Sequence, residues 1–380
     1  MRIVQVTPFF YPHAGGVETH VRSLAGEFVR LGHDVTIVTS RHDPALPAEE
    51  SFEGYRIARA NTWSVLYNTP IAPATRRLVA SIPADVYHLH FPPPITSYYA
   101  VRGLGRTTVP KCLTYHCDLY LEGPVGTVLT GLYSAFFLPP TLNRVDQVIT
   151  HTRSYASTSR ALRGRPTVVI PSAVDVRRFR PDLDGSVIRK RLGLEGQRVL
   201  AFTGRLVPHK GVDVILRALR ELPPDVSLIL VGFGPRLPEL QGLAHRLGVE
   251  SRVRFCTGVS DEELPLFLRA ADLFVFPSQN RLEGFGLVVA EAMASGLPVV
   301  IADMPGVREV IEPGKEGLLV EPLIVPDLVA RIRELLDDPA RRAAMGAAAR
   351  RRAEERFSLE IVARQLLTVY EGLTQRPGGG

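Results

Sequence analysis

The sequence contains few of the residues that stabilise secreted or metal-binding proteins. Only three of its 380 residues are cysteines, beside one tryptophan and four methionines. The three cysteines (Cys112, Cys117 and Cys256) are an odd number and form no zinc-ligand set, which argues against a disulfide framework and favours a reducing compartment. The first apolar run, Ile3 to Val6, has the length of a strand rather than of a leader peptide. These absences predict a cytoplasmic protein.

Charge is missing altogether from residues 123–143, a run of 21 residues. That length matches a membrane span of about 20 residues. However, Pro124, Gly126, Gly131, Pro139 and Pro140 would leave only about 14 helical residues, which are too few to cross a bilayer. Two interpretations stay open: a core helix, or an apolar helix that touches lipid.

The charge that is present is unevenly distributed. The net charge is +6, whereas residues 1–180 hold 19 Lys and Arg against 12 Asp and Glu. A basic first half beside a nearly neutral second half indicates an anionic surface or substrate on the first half. A preference for arginine codons in a GC-rich genome would give the same count, so this interpretation also stays open.

Length and apolar rhythm indicate two domains. The 380 residues exceed the roughly 250–300 at which a single core stops growing. Strand-length apolar runs alternate with helical patterns in both halves, which predicts two open parallel sheets with a cleft between them. We place the first domain at residues 1–172 and the second at 173–357. A helix at 358–375, expected to rejoin the first domain, and a flexible tail at 376–380 complete the chain.

The first predicted strand–helix–strand unit carries a glycine pair. A strand at Arg2–Thr7 leads through Gly15 and Gly16 into a helix with one apolar stripe, and the next strand is Asp34–Thr39. The loop lies at the carboxyl end of the first strand, where open α/β sheets bind ligands. Glycines there would let a phosphate approach the backbone, although many such turns bind nothing.

Two carboxylates in the second half bracket a turn and the start of a helix. Glu283 precedes the predicted helix and Glu291 lies inside it, eight residues later, so they cannot share one helix face. The amides of Phe285, Gly286 and Leu287 would point at a ligand lying across the helix N-terminus, where anions are favoured. A molecule with an anion between two hydroxyl-bearing ends would fit, and a sugar nucleotide is one.

Further turns of this kind follow neighbouring strands. Arg205 and Lys210 come after one strand, in a loop that leads into a helix, and two cations there would suit a diphosphate. Gly232 follows another strand, and Val259 and Asp261 follow a third. Because parallel strands end at one edge of a sheet, these turns are expected to surround one ligand.

Taken together, these motifs closely resemble a retaining glycosyltransferase of family 4. That family has the GT-B fold, an α/β fold of two Rossmann-like domains whose parallel sheets face each other across a cleft. The matching segments, in chain order, are Gly15-Gly16-Val17-Glu18, Thr114-Tyr115-His116-Cys117-Asp118, Gly204-Arg205-Leu206 with Lys210-Gly211, the Glu283/Glu291 pair, Gly296-Leu297-Pro298-Val299 and Glu316-Gly317-Leu318-Leu319-Val320.

The resemblance implies a role for each matching residue. Glu291 would hold the ribose hydroxyls of the nucleotide, and Glu283 would bind hydroxyls of the donor sugar. Arg205 and Lys210 would neutralise the diphosphate as charge grows on the leaving group. His116 would face the donor sugar near its C6 hydroxyl. Gly15, Gly16, Gly204 and Gly232 would bring backbone close to the donor.

The identity of the base depends on Asp261. A carboxylate at that strand end could accept the N1 and N2 hydrogens of guanine, whereas uracil offers only its N3 hydrogen. Asp261 could equally cap a helix predicted at Glu262–Ala270. We favour GDP-mannose over a UDP-hexose on this residue.

The mechanism that the resemblance implies is same-face attack with retention. The leaving diphosphate would help to deprotonate the acceptor hydroxyl through an oxocarbenium-like transition state, which requires positioning and charge stabilisation rather than a nucleophile. No cofactor and no essential metal are expected. Two alternatives of other classes are a non-hydrolysing nucleotide-sugar epimerase and a non-catalytic nucleotide-sugar-binding subunit.

The expected partners are the nucleotide-sugar donor and a glycolipid, lipid-linked or polysaccharide acceptor. An anionic membrane surface could be reached through the basic first half and residues 123–143, which would make the protein peripheral at the inner face of the membrane. No nucleic-acid partner is expected. The sequence departs from the family at Ala173, where glycine is usual, and at Gly306, which stands alone where a glycine pair is common. These departures leave the hinge geometry and the choice of hexose open.

Overall fold

The computed structural model describes residues 1–13, 15–120 and 123–375. The chain divides into two compact units. Unit 1 comprises Met1–Ala173 and the segment that begins at Leu359, and unit 2 comprises Val174–Ser358. Each unit is built on a largely parallel sheet with helices between its strands, so the predicted α/β class is confirmed. The predicted tail, 376–380, lies outside the described residues.

Unit 1 contains an eight-stranded sheet of order β10-β9-β8-β7-β1-β2-β4-β3 and a separate hairpin of β5 and β6. Every neighbouring pair in the large sheet is parallel except β3 and β4. The strands are β1 Arg2–Val6, β2 Asp34–Arg41, β3 Glu49–Phe52, β4 Tyr55–Asn61, β5 Ser64–Leu66, β6 Thr69–Ile71, β7 Val86–Phe91, β8 Lys111–Tyr115, β9 Gln147–Thr150 and β10 Thr167–Val169.

The helices of unit 1 cover both faces of this sheet. They are α1 Gly16–Arg30, α2 Thr75–Ser81, α3 Pro94–Leu104, α4 Gly123–Phe136, α5 Leu138–Leu142, α6 Arg153–Thr158 and, at the end of the chain, α14 Leu359–Thr374. Adjacent residues of β1 enter different clusters: Ile3 packs with α1 and α14, and Val4 packs on the opposite side. This alternation is what a strand buried on both faces requires.

Unit 2 contains a six-stranded, all-parallel sheet of order β13-β12-β11-β14-β15-β16. Its strands are β11 Arg198–Thr203, β12 Val226–Val231, β13 Val253–Cys256, β14 Leu273–Phe276, β15 Val299–Ala302 and β16 Gly317–Val320. Its helices are α7 Ser186–Leu192, α8 Val212–Glu221, α9 Leu237–Arg246, α10 Leu264–Arg269, α11 Leu287–Ala294, α12 Val325–Leu336 and α13 Pro339–Arg352, which continues into a π-helical turn, Ala353–Phe357.

Both sheets have a point at which the strand order reverses. In unit 2 the chain runs from β11 outward to β13 and returns to place β14 on the other side of β11. In unit 1, β1 lies between β2 and β7 in the same way. The loops leaving the two central strands diverge there, which opens a crevice at the carboxyl ends of the strands. The predicted site residues of each unit lie in loops at this edge or, for Gly16, Leu287 and Glu291, in the helices that follow those loops.

The last helix belongs to unit 1. The chain enters unit 2 beside the place where it leaves, since the Val174 amide donates to the Phe357 carbonyl at 2.7 Å. After this contact α14 packs on α1, where Tyr370 is fully buried with its ring 6.0 Å from that of Phe28. Ala173 is not among the described residues with positive φ, so the chain makes no left-handed turn at this departure from the family pattern.

The longer helix of the uncharged segment, α4, is not a core helix, so that interpretation is wrong for α4 and holds only for the short α5, which contributes Leu138 and Leu142 to the core. Among the residues of α4 only Gly126 and Tyr133 are buried. Val125, Val128, Leu132 and Phe136 are all exposed and, at spacings of three, four and four, form one apolar face. Within the described part of the chain, 123–142 is the one segment apolar and long enough for a membrane span by composition, but it consists of two helices of 14 and 5 residues.

The hairpin of β5 and β6 was not predicted. Its strands have three residues each, too short to show an alternating pattern, and it exposes Trp63, Val65, Leu66 and Tyr67. Exposure of the only tryptophan and its apolar neighbours is unusual because such side chains normally help to form a core.

Candidate active site

An ion pair joins the loops that follow the two central strands of unit 2. Lys210, after β11, contacts the carboxylate of Glu283, after β14, and His209 Nε2 lies 3.5 Å from the same oxygen. Lys210 Nζ also lies 4.9 Å from the centre of the Phe276 ring. Burial alone would raise the pKa of Glu283, but Lys210 and His209 lower it to about 2. Glu283 is therefore a carboxylate at any physiological pH.

Glu291 is in the opposite electrostatic situation. It is buried in α11 and burial raises its pKa to about 7, with Arg178 acting to lower it and Asp261 adding to the rise. Arg178 donates to the Asp261 backbone carbonyl and lies 3.9 Å from the Asp261 carboxylate. Glu291, which is predicted to bind the ribose, and Asp261, which is predicted to bind the base, thus both interact electrostatically with Arg178.

Asp261 does not cap a helix, so that alternative is wrong. Helix α10 begins at Leu264, and its N-terminal cap is Glu263 without a side-chain hydrogen bond. The backbone amide of Glu263 instead donates to the hydroxyl oxygen of Ser260 at 3.3 Å. The Asp261 side chain is consequently left two-thirds exposed, at 66%.

Two glycines are required by close backbone approaches within this region. A β-carbon on Gly232 would lie 1.9 Å from the carbonyl oxygen of Gly204, so the turns after β11 and β12 can touch only if residue 232 is glycine. A β-carbon on Gly306 would lie 2.5 Å from the carbonyl oxygen of Glu283. The single glycine of the Pro305-Gly306 turn thus supports the loop that holds Glu283.

The predicted helix N-terminus is present at α11. Gly286 is its N-cap in a left-handed conformation, with φ 84°, and Leu287 is the first helical residue. The Phe285 ring is buried and packs edge-on against Phe357, with ring centres 5.3 Å apart. This packing fixes the backbone on which the amides of Phe285, Gly286 and Leu287 lie. Anion binding by those amides remains a prediction.

Arg205 and Val259 lie on the same edge of the sheet. Arg205 is exposed, and its guanidinium has no ion pair or hydrogen bond in the described part of the chain. Val259 is half-buried and packs against the core of unit 2. Arg205 is thus a cation available to a ligand, whereas Lys210 is already paired.

The predicted residues of unit 1 lie at the carboxyl ends of its central strands. Gly15 precedes α1 with extended backbone, and its carbonyl accepts the Thr19 amide at 2.9 Å. A β-carbon on Gly16 would meet no atom within 4 Å, so packing of the described residues does not itself require glycine there. His116 directly follows β8, and its amide donates to the Phe91 carbonyl at 2.9 Å.

His116 belongs to a cluster of five histidines that sequence reasoning did not find. Both of its ring nitrogens are engaged, Nε2 by His90 Nδ1 at 3.1 Å and Nδ1 by His151 Nε2 at 2.9 Å. The ring of His20, from α1, lies edge-on to His116 at 5.3 Å, and His88 lies 4.4 Å from His90. The sequence offered one signal for this cluster: His90 lies near the end of β7, and His116 and His151 directly follow β8 and β9.

Two other contributors were missed in unit 2. Arg178 lies just after the link between the units, and His209 directly precedes Lys210. Both approach a predicted carboxylate, Glu291 and Glu283 respectively. No sequence spacing relates them to those carboxylates, because the contacts form between loops of different strands.

The described residues contain no group of three or more His, Cys, Asp and Glu side chains that could hold a metal ion. The sequence does contain one Asp-x-Asp triplet, Asp182-Leu183-Asp184, which sequence reasoning overlooked. Asp182 lies 3.5 Å from Arg180, and Asp184 accepts the Ser186 amide at the start of α7. The triplet therefore has a structural role in this part of the chain.

Comparison with known proteins identifies the class. Solved structures match over nearly the whole chain: sucrose-phosphate synthase from Thermosynechococcus elongatus has a TM-score of 0.81 at 23% identity, covering 98% of each chain. The Anabaena protein HepE in complex with UDP has a TM-score of 0.79 at 23% identity, covering 98% of this chain and 100% of its own. These similarities, with the two parallel sheets, establish the fold as that of the GT-B glycosyltransferases.

The family follows from sequence similarity. Residues 14–178 match "Glycosyltransferase Family 4" and residues 186–352 match "Glycosyl transferases group 1". A GDP-mannose-dependent alpha-(1-6)-phosphatidylinositol monomannoside mannosyltransferase of Mycolicibacterium smegmatis is 32% identical, with 97% of both chains covered. A phosphatidyl-myo-inositol mannosyltransferase of the same organism is 31% identical, covering 98% of this chain and 94% of its own. The chain belongs to glycosyltransferase family 4 and is a hexosyltransferase.

Proposed function

We propose that the protein transfers mannose from GDP-mannose to a hydroxyl of a phosphatidylinositol-type glycolipid, with retention at the anomeric carbon. The observation that carries the proposal is the similarity, over 97% of the chain, to a relative named for that donor and that class of acceptor. The geometry of unit 2 supports it, because each chemical part of such a donor has a matching group at the carboxyl edge of the sheet.

The donor would be held in three places. Glu291 would accept the ribose hydroxyls, as a buried carboxylate can do once ionised. Arg205 and Lys210 would bind the diphosphate. Glu283 would accept hydroxyls of the mannose. Because Lys210 and Glu283 contact each other, donor binding would exchange one ion pair for two separate sets of interactions.

Guanine would lie beside Asp261. Its exposed carboxylate is the acceptor that the N1 and N2 hydrogens of guanine require, and Arg178 holds the Asp261 backbone in place. Uracil has a single donor on that edge and would leave part of the carboxylate unpaired. This difference favours GDP over UDP because guanine would donate two charge-assisted hydrogen bonds to the carboxylate and uracil only one.

Retention fits a site without a nucleophile. Glu283 is paired with Lys210, and its pKa of about 2 makes its carboxylate a poor base. The chemistry would instead rest on charge stabilisation of the departing diphosphate by Lys210 and Arg205, while the diphosphate accepts the acceptor's proton. No metal is assigned a role.

The acceptor proposal includes a membrane surface. The apolar face of α4 (Val125, Val128, Leu132 and Phe136) is exposed in a segment without charge. The first charge after that segment is Arg144, which is exposed and donates to the Pro140 carbonyl in α5. An apolar helix face followed by a cation suits the interface of an anionic bilayer, where the acceptor's lipid chains would remain.

A donor panel tests the reaction. Purified protein is incubated with GDP-mannose and with UDP-glucose, UDP-galactose and UDP-GlcNAc, with and without phosphatidylinositol mannosides, and released nucleotide and glycolipid are measured. GDP-mannose with lipid product is expected. Asp261→Ala should reduce GDP affinity about tenfold or more while sparing UDP, and Asp182→Ala is the matched control outside the strand-end loops. Transfer from a UDP-sugar only, or an epimerised donor, would refute the proposal.

Flotation with liposomes tests the membrane surface. The protein should float with vesicles containing phosphatidylinositol and not with neutral phosphatidylcholine vesicles. The pair Val128→Ser and Leu132→Ser should abolish flotation. Val187→Ser is the control, since Val187 in α7 is about as exposed as Val128, at 59% against 62%. Equal flotation on both vesicle types, or none, would remove this part of the proposal.

A further inference from the structure

Three histidines of unit 1 form a continuous series of hydrogen bonds near the point where the strand order of its sheet reverses. The series begins at the Ile170 carbonyl oxygen, which lies 3.0 Å from His151 Nδ1. His151 Nε2 lies 2.9 Å from His116 Nδ1, and His116 Nε2 lies 3.1 Å from His90 Nδ1. It ends at Gln5 of β1, whose Oε1 lies 3.0 Å from His90 Nε2. We call these residues the histidine relay.

The carbonyl at one end sets the proton positions along the whole relay. A backbone carbonyl only accepts, so His151 must carry its proton on Nδ1. If each ring holds one proton, His151 Nε2 is then an acceptor and His116 Nδ1 must donate to it. By the same step His116 Nε2 accepts, and His90 Nδ1 donates. Each neutral ring is thereby restricted to its Nδ1-protonated tautomer.

The far end of the relay is consistent with this order. A neutral His90 presents a lone pair at Nε2, which requires a donor from Gln5. The Gln5 amide nitrogen is buried and has no hydrogen-bond partner in the described part of the chain. Turning the Gln5 amide by 180° exchanges its oxygen and nitrogen at almost the same positions, and it gives both His90 Nε2 and that nitrogen a partner. Gln5 and Ile170 thus terminate the relay with one donor and one acceptor.

The surroundings keep the rings neutral. His90 is fully buried and His151 nearly so. Burial lowers the pKa of His116 well below its ordinary value, and the neighbouring His151, His20 and His88 lower it further. Burial likewise lowers the pKa of His151 to about 4. Each ring of the relay therefore carries a single proton, and none of these neighbours is a carboxylate that could compensate a positive charge on a ring.

We propose that His151 and His90 are positioning residues that hold His116 as a neutral imidazole, protonated on Nδ1 and fixed in orientation by two hydrogen bonds. The proposal concerns the relay itself and assigns no direct contact between His151 or His90 and substrate. Its consequence for catalysis rests on the proposed function and on the role that the family resemblance implies for His116, which would face the donor sugar. An imidazolium there would repel the positive charge that develops on the sugar in an oxocarbenium-like transition state, and the relay prevents it from forming.

The first test needs no substrate, so it is independent of the proposed function. Long-range proton–nitrogen correlation spectra of histidine-labelled protein should show His116 as a single Nδ1-protonated tautomer that does not titrate in the ordinary histidine range. The His88→Asn variant is the matched control. His88 is equally buried, but it bonds to Tyr370 and Thr114 rather than to His116, so the tautomer should be kept. An Nε2-protonated ring, a mixture of tautomers, or ordinary titration in the wild-type protein would overturn the proposal.

The second test separates positioning from general stability. His151→Leu removes the acceptor of the His116 Nδ1 proton, whereas His151→Gln places an amide oxygen near the position of Nε2 and can keep it. We expect His151→Leu to lower kcat by up to about 100-fold through misorientation, with a smaller change in the KM for the donor. His151→Gln should recover most of kcat and the wild-type tautomer. Equal losses in both variants, or no loss in either, would refute the positioning role.

Discussion

Replacing Glu291 by glutamine should make the protein more stable at alkaline pH while weakening nucleotide binding. Burial raises the pKa of Glu291 to about 7 from its ordinary value of 4.5. The folded state therefore holds a proton on this carboxyl between pH 4.5 and 7 that the unfolded chain releases. The stabilising contribution is fully present below pH 4.5 and is lost as the pH rises through 7. The distance between the ordinary pKa of 4.5 and the raised pKa of about 7 corresponds to about 3 kcal/mol.

Glu291→Gln tests this magnitude directly. Glutamine has nearly the same shape and does not ionise, so the variant should exceed the wild type in unfolding free energy by up to about 3 kcal/mol at pH 8 and match it at pH 4.5. Urea unfolding followed by circular dichroism at several pH values gives the difference. Parallel pH profiles for the two proteins would show that burial of Glu291 does not impose this penalty.

The affinity of the wild-type protein for GDP should rise with pH, whereas its stability falls. If the ionised carboxylate binds the ribose hydroxyls, only the ionised fraction is competent, and that fraction is about one tenth at one pH unit below the pKa. Titration calorimetry should therefore find that GDP binds the wild type roughly tenfold more weakly at pH 6 than at pH 8, beyond any change seen with Glu291→Gln. The variant serves as the control because the nucleotide's own phosphates titrate identically in both experiments. An identical pH dependence in the two proteins would refute the assignment of Glu291 to the ribose.

Three further predictions concern other parts of the chain. Lys210→Met should cost about 3 kcal/mol of stability because it leaves the largely buried Glu283 carboxylate, 12% exposed, without its lysine. Arg205→Met removes an exposed cation without an ion pair and should change stability by less than about 0.5 kcal/mol. Equal costs in urea unfolding of the two variants would contradict this. Addition of a chelator should leave transfer activity unchanged, and abolished activity in that assay would show that a metal is essential. Truncation after residue 356 removes α14, including the buried Tyr370, and should reduce soluble yield or activity, so an unaffected enzyme would show that α14 is dispensable.

The sequence predicted the elements whose pattern is local. Strands such as β11 and β15 contain continuous apolar runs, and α1 shows its stripe at Val21, Leu24 and Phe28, so their positions follow from residues close in the chain. The hairpin of β5 and β6 has too few residues to show any period. The helix at Asp261 was placed too early because Asp is a common cap, whereas the turn there uses Ser260.

The candidate site was predictable as a set of residues but not as a set of contacts. Residue types and their positions after strands indicated Glu283, Lys210 and Glu291. That Lys210 would pair with Glu283 could not be read from the sequence, because the two lie in loops of different strands and both were expected to face a ligand. The histidine relay was missed for the same reason: its members come from three strand ends that only the folded sheet brings together.

The contact between Lys210 and Glu283 has a consequence for the order of events in a catalytic cycle. On the proposed assignment, an intact donor compensates both residues, since its diphosphate replaces Glu283 beside Lys210 and its sugar hydroxyls replace Lys210 beside Glu283. The spent nucleotide can compensate only the lysine, and it would leave a buried carboxylate alone at a cost of about 3–5 kcal/mol unless the two residues rejoin. Re-formation of the ion pair between Lys210 and Glu283 would thus favour release of the nucleotide product. The same two side chains would bind the donor before transfer and favour dissociation of the nucleotide afterwards.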